Sequence, residues 1–311
     1  MDNIHLIPPS FFAHRGPRRS RNPIFLIRNH FKENGPTVLL KNSLTGLRRI
    51  EINIIETLNL YELGGDPVWI PSGDLTLLSD VEIELLSKVN LTLGPNIDWF
   101  NTEVAGVVSQ LKYVKILVPH HWVIQPVEQK LPKDCRIFVW YAAIDTDFWH
   151  KKRKSQTVQT VLIYLKNLND SENLDLAQNY LRSRNISFIV LKYGSYSQYQ
   201  LKQILKRVTA AIWIGGTESQ GLALIEFWSM NIPTLVLKKL DWFSPDGQSF
   251  PASSAPYMND LAGLFSNSTA FSDLDFDSFF SRFNEFSPRS SVKETFSLTN
   301  CALTLLKLLK A

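Results

Sequence analysis

Cysteine is nearly missing from this sequence. Cys135 and Cys301 are the only two in 311 residues. They lie far apart without paired spacing, which argues against a disulfide framework and a thiolate zinc site and fits a reducing compartment. A strong charge of either sign is missing too: a net +4 is too small for this length to argue for nucleic acid as a partner. No window reaches the roughly 18 apolar residues of a membrane span. The opening Met1–Pro9 lacks the positive region and unbroken apolar run of a secretory signal. The expectation is a cytoplasmic protein, soluble or peripheral on a membrane. The sequence also lacks an internal repeat at a fixed period. No third ligand accompanies His120 and His121, so a surface pair is expected there and no metal site.

What is present suits folded domains. A hydrophobic content of 44%, with 8 Trp and 19 Phe, excludes a disordered chain. The length exceeds that at which one core stops growing, so two domains of about 150 residues are expected. Short apolar runs alternate with amphipathic stretches, the pattern of an α/β protein with parallel sheets. Strands are expected at Ile4–Ile7, Thr37–Leu40, Ile50–Ile55, Val68–Ile70, Asn90–Leu93, Lys115–Val118 and Ile137–Trp140, and a helix at Pro23–Phe31 behind Asn22 as N-cap. The pattern restarts at Thr157–Leu165 after the basic, polar Lys151–Gln156, which places the domain boundary between residues 1–150 and 151–311. There follow a helix near Leu174–Ser183, a strand Ile186–Leu191, a helix Gln198–Val208, a strand Ala211–Ile214, a helix near Gly221–Met230 and a strand Thr234–Leu237. Ser244–Pro256 reads as a loop, Asp273, Asp275 and Asp277 as an acidic surface segment, and Leu298–Ala311 as an amphipathic helix. Two basic clusters, Arg15, Arg18, Arg19 and Arg21 near the start and Lys151 to Lys154 in mid-chain, read equally as solvated loops or as anion-binding or membrane-surface patches.

The most informative stretch runs from Ile212 to Leu237. A strand leads through Gly215-Gly216-Thr217 to Glu218, then Ser219-Gln220-Gly221-Leu222 opens a helix carrying Glu226, and Asn231-Ile232-Pro233-Thr234 closes it. Two glutamates with seven residues between them, a Gly-Leu step within that interval and an Ile-Pro ending resemble the signature of retaining GT-B glycosyltransferases of family 4, the group 1 type. Tyr141–Trp149, with Asp145, is similar to that family's hinge, and Val118-Pro119-His120-His121-Trp122-Val123 to its preceding segment. The resemblance covers roughly residues 115–240.

The resemblance implies an α/β protein of GT-B fold, two Rossmann-like domains facing each other across a cleft. Residues 1–150 would bind the acceptor and 151–311 the donor, with the last helix crossing back. A hexosyl or pentosyl group would pass from a nucleotide-diphosphate sugar, UDP- or GDP-linked, to a hydroxyl of a glycan or glycolipid, with retention and without metal or other cofactor. Glu218 takes the implied catalytic position beside the donor sugar, and Glu226 accepts hydrogen bonds from ribose hydroxyls. Thr217, Ser219, Gln220, Gly221 and Leu222 line the donor, where a helix start directs free N–H groups and the positive dipole end at a diphosphate.

Basic residues are where the sequence departs from the family. Lys166 stands for the family's arginine, but Ser171 or Glu172 falls near its lysine, leaving Lys192 after the next strand, or an arginine of the first domain, as a substitute. In the first half, Gly16 within His14-Arg15-Gly16-Pro17 takes the place of a phosphate-facing glycine loop, and His14 and Arg15 are candidates for the leaving diphosphate or an anionic acceptor. Asn96 and Asp98 stand where the family has a histidine, and read equally as substrate contacts or loop caps. Asp145-Thr146-Asp147 has the Asp-x-Asp form that holds a divalent ion in GT-A enzymes, although it lies at the interdomain linker. Inverting transferases, phosphorylases and epimerases share the scaffold. The thin charge compensation leaves a catalytically silent sugar-nucleotide-binding or interaction protein as the alternative.

Overall fold

The computed structural model describes residues 3–13, 15, 35–151 and 157–311. The chain divides into two compact units, one of Met1–Ala143, Phe243–Phe250 and Leu298–Ala311, the other of Ile144–Trp242 and Pro251–Ser297.

In the first unit the elements run β1 (Asn3–Leu6), α1 (Ser10–Ala13), α2 (Gly35–Arg49), β2 (Asn53–Glu56), β3 (Val68–Ser72), α3 (Asp80–Leu86), β4 (Leu91–Asn96), α4 (Thr102–Val108), β5 (Lys115–Val118), α5 (Ile124–Glu128) and β6 (Arg136–Val139). The strands form one parallel sheet in the order β2-β1-β3-β4-β5-β6. Its central strands are buried at nearly every position because both faces are covered, as parallel sheets require. Ser79 and Glu82 form a reciprocal capping box that starts α3.

The second half continues with β7 (Thr160–Leu165), α6 (Ser171–Ser183), β8 (Ser187–Lys192), α7 (Gln198–Arg207), β9 (Ala210–Ile214), α8 (Leu222–Ser229), β10 (Thr234–Val236), the paired β11 (Asp241–Phe243) and β12 (Ser249–Pro251), β13 (Gly263–Phe265), α9 (Asp273–Ser281), α10 (Pro288–Phe296) and α11 (Leu298–Lys310). The second unit's parallel sheet has the order β13-β10-β9-β7-β8. One face buries Val161, Ile163, Leu165, Ile212 and Ile214 against Leu181, Phe276 and Phe279 of α6 and α9. Each fully buried aliphatic there contributes about 1.5–3 kcal/mol. On the other face Tyr164 stacks on Trp213 with ring centroids 4.5 Å apart, and both meet Phe227 of α8 edge-on.

The last helix belongs to the first unit. Lys115 donates to the Leu308 and Leu309 carbonyls at 2.9 and 2.7 Å, capping the end of α11, and Trp140 donates to the Cys301 carbonyl at 3.0 Å. No helix among the described residues is long and apolar enough to cross a membrane.

Several elements differ from expectation. Thr37–Leu40 lies inside α2, not in a strand: Val38, Leu39, Ser43, Gly46 and Leu47 form a helical stripe on the core, and a short apolar run cannot be assigned by itself. The segment read as a loop at Ser244–Pro256 contains β12, whose hairpin with β11 turns at Gly247, and Asp246 at its tip pairs with Lys130 at 2.6 Å. Asp275 is not on an acidic surface but is 3% exposed, because it completes the capping box of α9 with Ser272 and takes hydrogen bonds from Asn267. The helix expected at Pro23–Phe31 lies outside the described residues.

Candidate functional site

In an open α/β sheet, ligands bind beyond the carboxyl ends of the strands, where successive connections leave in opposite directions. In the second unit β7 lies between β8 and β9, so that point is the gap between β7 and β9. The chain leaving β7 places Lys166 there, and its backbone N–H donates to the Ile214 carbonyl at the end of β9 at 2.8 Å. The chain leaving β9 passes through Gly215 and Gly216 to Glu218, whose backbone N–H is fixed by the Ser253 carbonyl at 2.8 Å. The Lys166 ammonium lies 2.6 and 2.7 Å from the two carboxylate oxygens of Glu218.

Glu218 is 7% exposed. Burial raises its carboxyl above the ordinary range, and the Lys166 charge opposes that rise. Lys192 ends the neighbouring strand, opposite Leu165 in register, with its side chain exposed. The Lys166 ammonium also lies 5.0 Å from the Tyr193 ring centroid. Two lysines on adjacent strands therefore stand at one end of this sheet.

The loop then turns into α8 through Gly221, at φ 60° and ψ 39°. That left-handed conformation favours glycine, and no side chain caps the first turn. A helix start of this kind directs its first N–H groups and positive dipole end toward the preceding turn. Thr217 and Gln220 are half-buried, Ser219 is exposed, and Leu222 begins the helix half-buried.

One turn further, Glu226 is 2% exposed within the apolar helix LALIEFWS. Burial pushes its carboxyl up to about 8, with the Gln198 amide opposing. Gln198 Nε2 donates to its Oε1 at 3.0 Å. Gln198 opens α7, whose start is set by the Ser197–Gln200 capping box. The hydroxyls of Tyr164 and Tyr196 bond each other beside this carboxylate, and burial holds both phenols neutral well above their ordinary range. A carboxylate in such surroundings is costly unless something binds it.

The sequence missed Gln198, Tyr164 and Tyr196. The helix was expected to start at Gln198, but nothing in the spacing tied that residue to Glu226.

The first unit brings its candidates to fewer partners. Arg15 pairs with Glu82 at 2.5 Å and lies 3.9 Å over the Phe11 ring. Asn96 ends β4, next to the cis Gly94–Pro95 bond. Asp98 accepts from the Phe100 N–H at 3.2 Å, a loop-capping bond. His14 and Gly16 lie outside the described residues, as do Arg18, Arg19, Arg21 and most of the run from Lys151 to Lys154. Asp145, the first carboxylate of the Asp-x-Asp triplet, accepts from the N–H groups of Asp147 and Phe148 at 3.0 and 2.9 Å. His120 accepts from the Trp122 N–H through Nδ1. No group of three or more His, Cys, Asp or Glu suited to a metal ion occurs among the described residues.

No protein-family profile and no curated protein matches this chain. Solved structures do. AviGT4, a glycosyltransferase involved in avilamycin A biosynthesis, is similar with a TM-score of 0.52 at 8% identity, over 100% of this chain and 97% of that one. Anabaena HepE in complex with UDP and glucose gives 0.54 at 8% identity, over 100% of both chains. The lipopolysaccharide outer core galactosyltransferase WaaB, in its apo form, gives 0.51 at 13% identity, over 99% of both chains. The fold is thus that of GT-B glycosyltransferases, with two Rossmann-like domains.

Proposed function

We propose that this chain is a glycosyltransferase, moving a hexosyl or pentosyl group from a nucleotide-diphosphate sugar to an acceptor hydroxyl of a glycan or glycolipid. The observation that carries the reading is Lys166 paired with the buried Glu218 at the β7/β9 gap, followed directly by a helix with an uncapped first turn and an internal Glu226. Lys166, Lys192 and that first turn offset diphosphate charge, which is the kind of preorganised stabilisation a leaving diphosphate needs. Glu226 takes the ribose and Glu218 the donor sugar; the acceptor falls to the first unit. Retention without metal follows the family resemblance: the leaving diphosphate takes the acceptor's proton as the new glycosidic bond forms on the same face.

A second reading has its own support. Lys166 is tied to Glu218, and the family's second basic position is absent. A sugar-nucleotide-binding protein without turnover has that description. A thermal-shift screen of UDP-, GDP-, ADP- and CMP-sugars identifies the donor, since a ligand of the folded state raises apparent stability. Steady release of nucleoside diphosphate from the stabilising sugar nucleotide supports the transferase, and stabilisation without release supports the silent protein. If no sugar nucleotide stabilises the chain, both readings fail.

A further inference from the structure

Glu226 presents a problem of local chemistry. It is 2% exposed, sits between apolar neighbours on α8, and its carboxylate carries a hydrogen bond from a neutral amide, Gln198, at 3.0 Å. The groups facing it are uncharged. Tyr164 on β7 and Tyr196 before α7 bond to each other through their hydroxyls, and both stay protonated well above neutrality through burial. The charged pair Lys166–Glu218 is satisfied internally, although Glu218 still acts electrostatically on Tyr196. Gln198 itself is half-buried and stands on a helix start held by its own capping box. Its amide is therefore a fixed, partly accessible group in front of an almost inaccessible carboxylate.

From this arrangement we propose that Gln198 is a specificity-determining positioning residue of the nucleotide site. Its amide holds one oxygen of Glu226, so that the other is presented, with its orientation fixed, to a ligand hydroxyl, and nucleotides lacking the ribose 2′-hydroxyl are rejected. The inference rests on the donor-site reading given above and adds to it the residue that sets the choice. The physical basis is an asymmetry: a site built to hydrogen-bond a hydroxyl rejects the analogue without it, because the buried acceptor is left unpaired. An amide donor also favours the charged form of the carboxylate it touches. Removing it therefore weakens binding most at low pH and least at high pH, whereas a purely structural role of Gln198 lowers affinity equally at all pH values.

The experiment is titration calorimetry of the full chain with UDP, 2′-deoxy-UDP, GDP and 2′-deoxy-GDP between pH 6 and 9, for the unaltered protein and for Gln198→Leu. Thermal unfolding confirms that the variant is folded, and Gln198→Glu serves as a second variant that places a like charge on Glu226. The unaltered protein is expected to prefer the ribonucleotide by roughly tenfold or more, the worth of one hydrogen bond to a charged group. In Gln198→Leu that preference shrinks, and the rise of affinity with pH moves to higher pH; in Gln198→Glu it moves further still. Equal binding of ribo- and deoxynucleotides by the unaltered protein overturns the inference while leaving the donor site in place. So does a Gln198→Leu variant with an unchanged ribo/deoxy ratio and pH profile. No binding of any of the four nucleotides overturns the donor site as well.

Discussion

Both units end a parallel sheet at a gap where the chain turns away in opposite directions, yet they fill that gap differently. In the second unit the β7/β9 gap holds ionisable side chains: Lys166 against a buried Glu218, with a fully buried Glu226 on the helix that follows. In the first unit the equivalent gap lies between β1 and β3. There Phe12 packs directly over Gly73, at φ 151°, where any side chain would collide with the ring, and Arg15 pairs with Glu82. Among the described residues, the two crevices of the same kind thus differ in their lining: buried ionisable side chains in the second unit, a ring packed on a glycine in the first. Buried charge that lowers stability is more informative about binding than exposed charge.

The sharpest way to break this contrast is Glu226→Leu. Nucleotide affinity should fall by about a hundredfold or more, the loss of two hydrogen bonds to a charged acceptor, read by calorimetry. The same variant should unfold at a higher temperature, because a desolvated carboxylate is replaced by an apolar side chain in an apolar helix. Unchanged affinity would remove Glu226 from the site.

Next in size is Lys166→Ala. It leaves Glu218 buried without its cation and should cost about 2 kcal/mol of stability, below the full value for a buried pair because Lys166 is partly exposed. Adding Glu218→Gln should restore much of that stability in denaturant titration while leaving nucleotide binding weak. Recovery of binding in the double variant would mean that Lys166 acts only as a structural partner.

The pH dependence of stability gives a smaller, signed test. In the folded protein the Glu226 carboxyl titrates at about 8, against an ordinary 4.5. The native state therefore keeps its proton longer than the unfolded chain. The stability it contributes is full below about 4.5 and is lost as pH rises to about 8. Melting temperatures at pH 5 and pH 8.5, without ligand, should show a fall in the unaltered protein and a smaller fall in Glu226→Leu.

The smallest effect is expected in the first unit: Arg15→Ala should lower stability by less than about 1 kcal/mol, as for other solvent-accessible ion pairs. A loss several times larger, in denaturant titration, would show that this gap too depends on its charge.

Much of this was legible in the sequence, for reasons that differ by element. β5, β7, β8 and β9 and helices α6, α7 and α8 stood out because apolar runs of strand length were separated by amphipathic runs of helix length, and Gly- and Pro-bearing turns punctuated them. The Glu218–Glu226 pair stood out because it sits on one strand-turn-helix unit whose local chain sets its geometry. Thr37–Leu40 did not, since four apolar residues are compatible with a strand or one face of a helix until a neighbour chooses between them. Asp275 looked like surface charge because its capping role depends on Asn267 and Ser272 folding back on it.

By itself, then, the sequence determined the rhythm of strands and helices, the glycine turn into α8 and the presence of two glutamates on it, because these depend on residues within one turn or strand of each other. Only the tertiary structure decided what those glutamates face. Lys166 is 52 positions from Glu218 and Gln198 is 28 from Glu226, and no local rule brings either pair together. Strand order does: placing β7 between β8 and β9 sets Lys166 beside Glu218 at one sheet end, and the helix start after β8 sets Gln198 against Glu226.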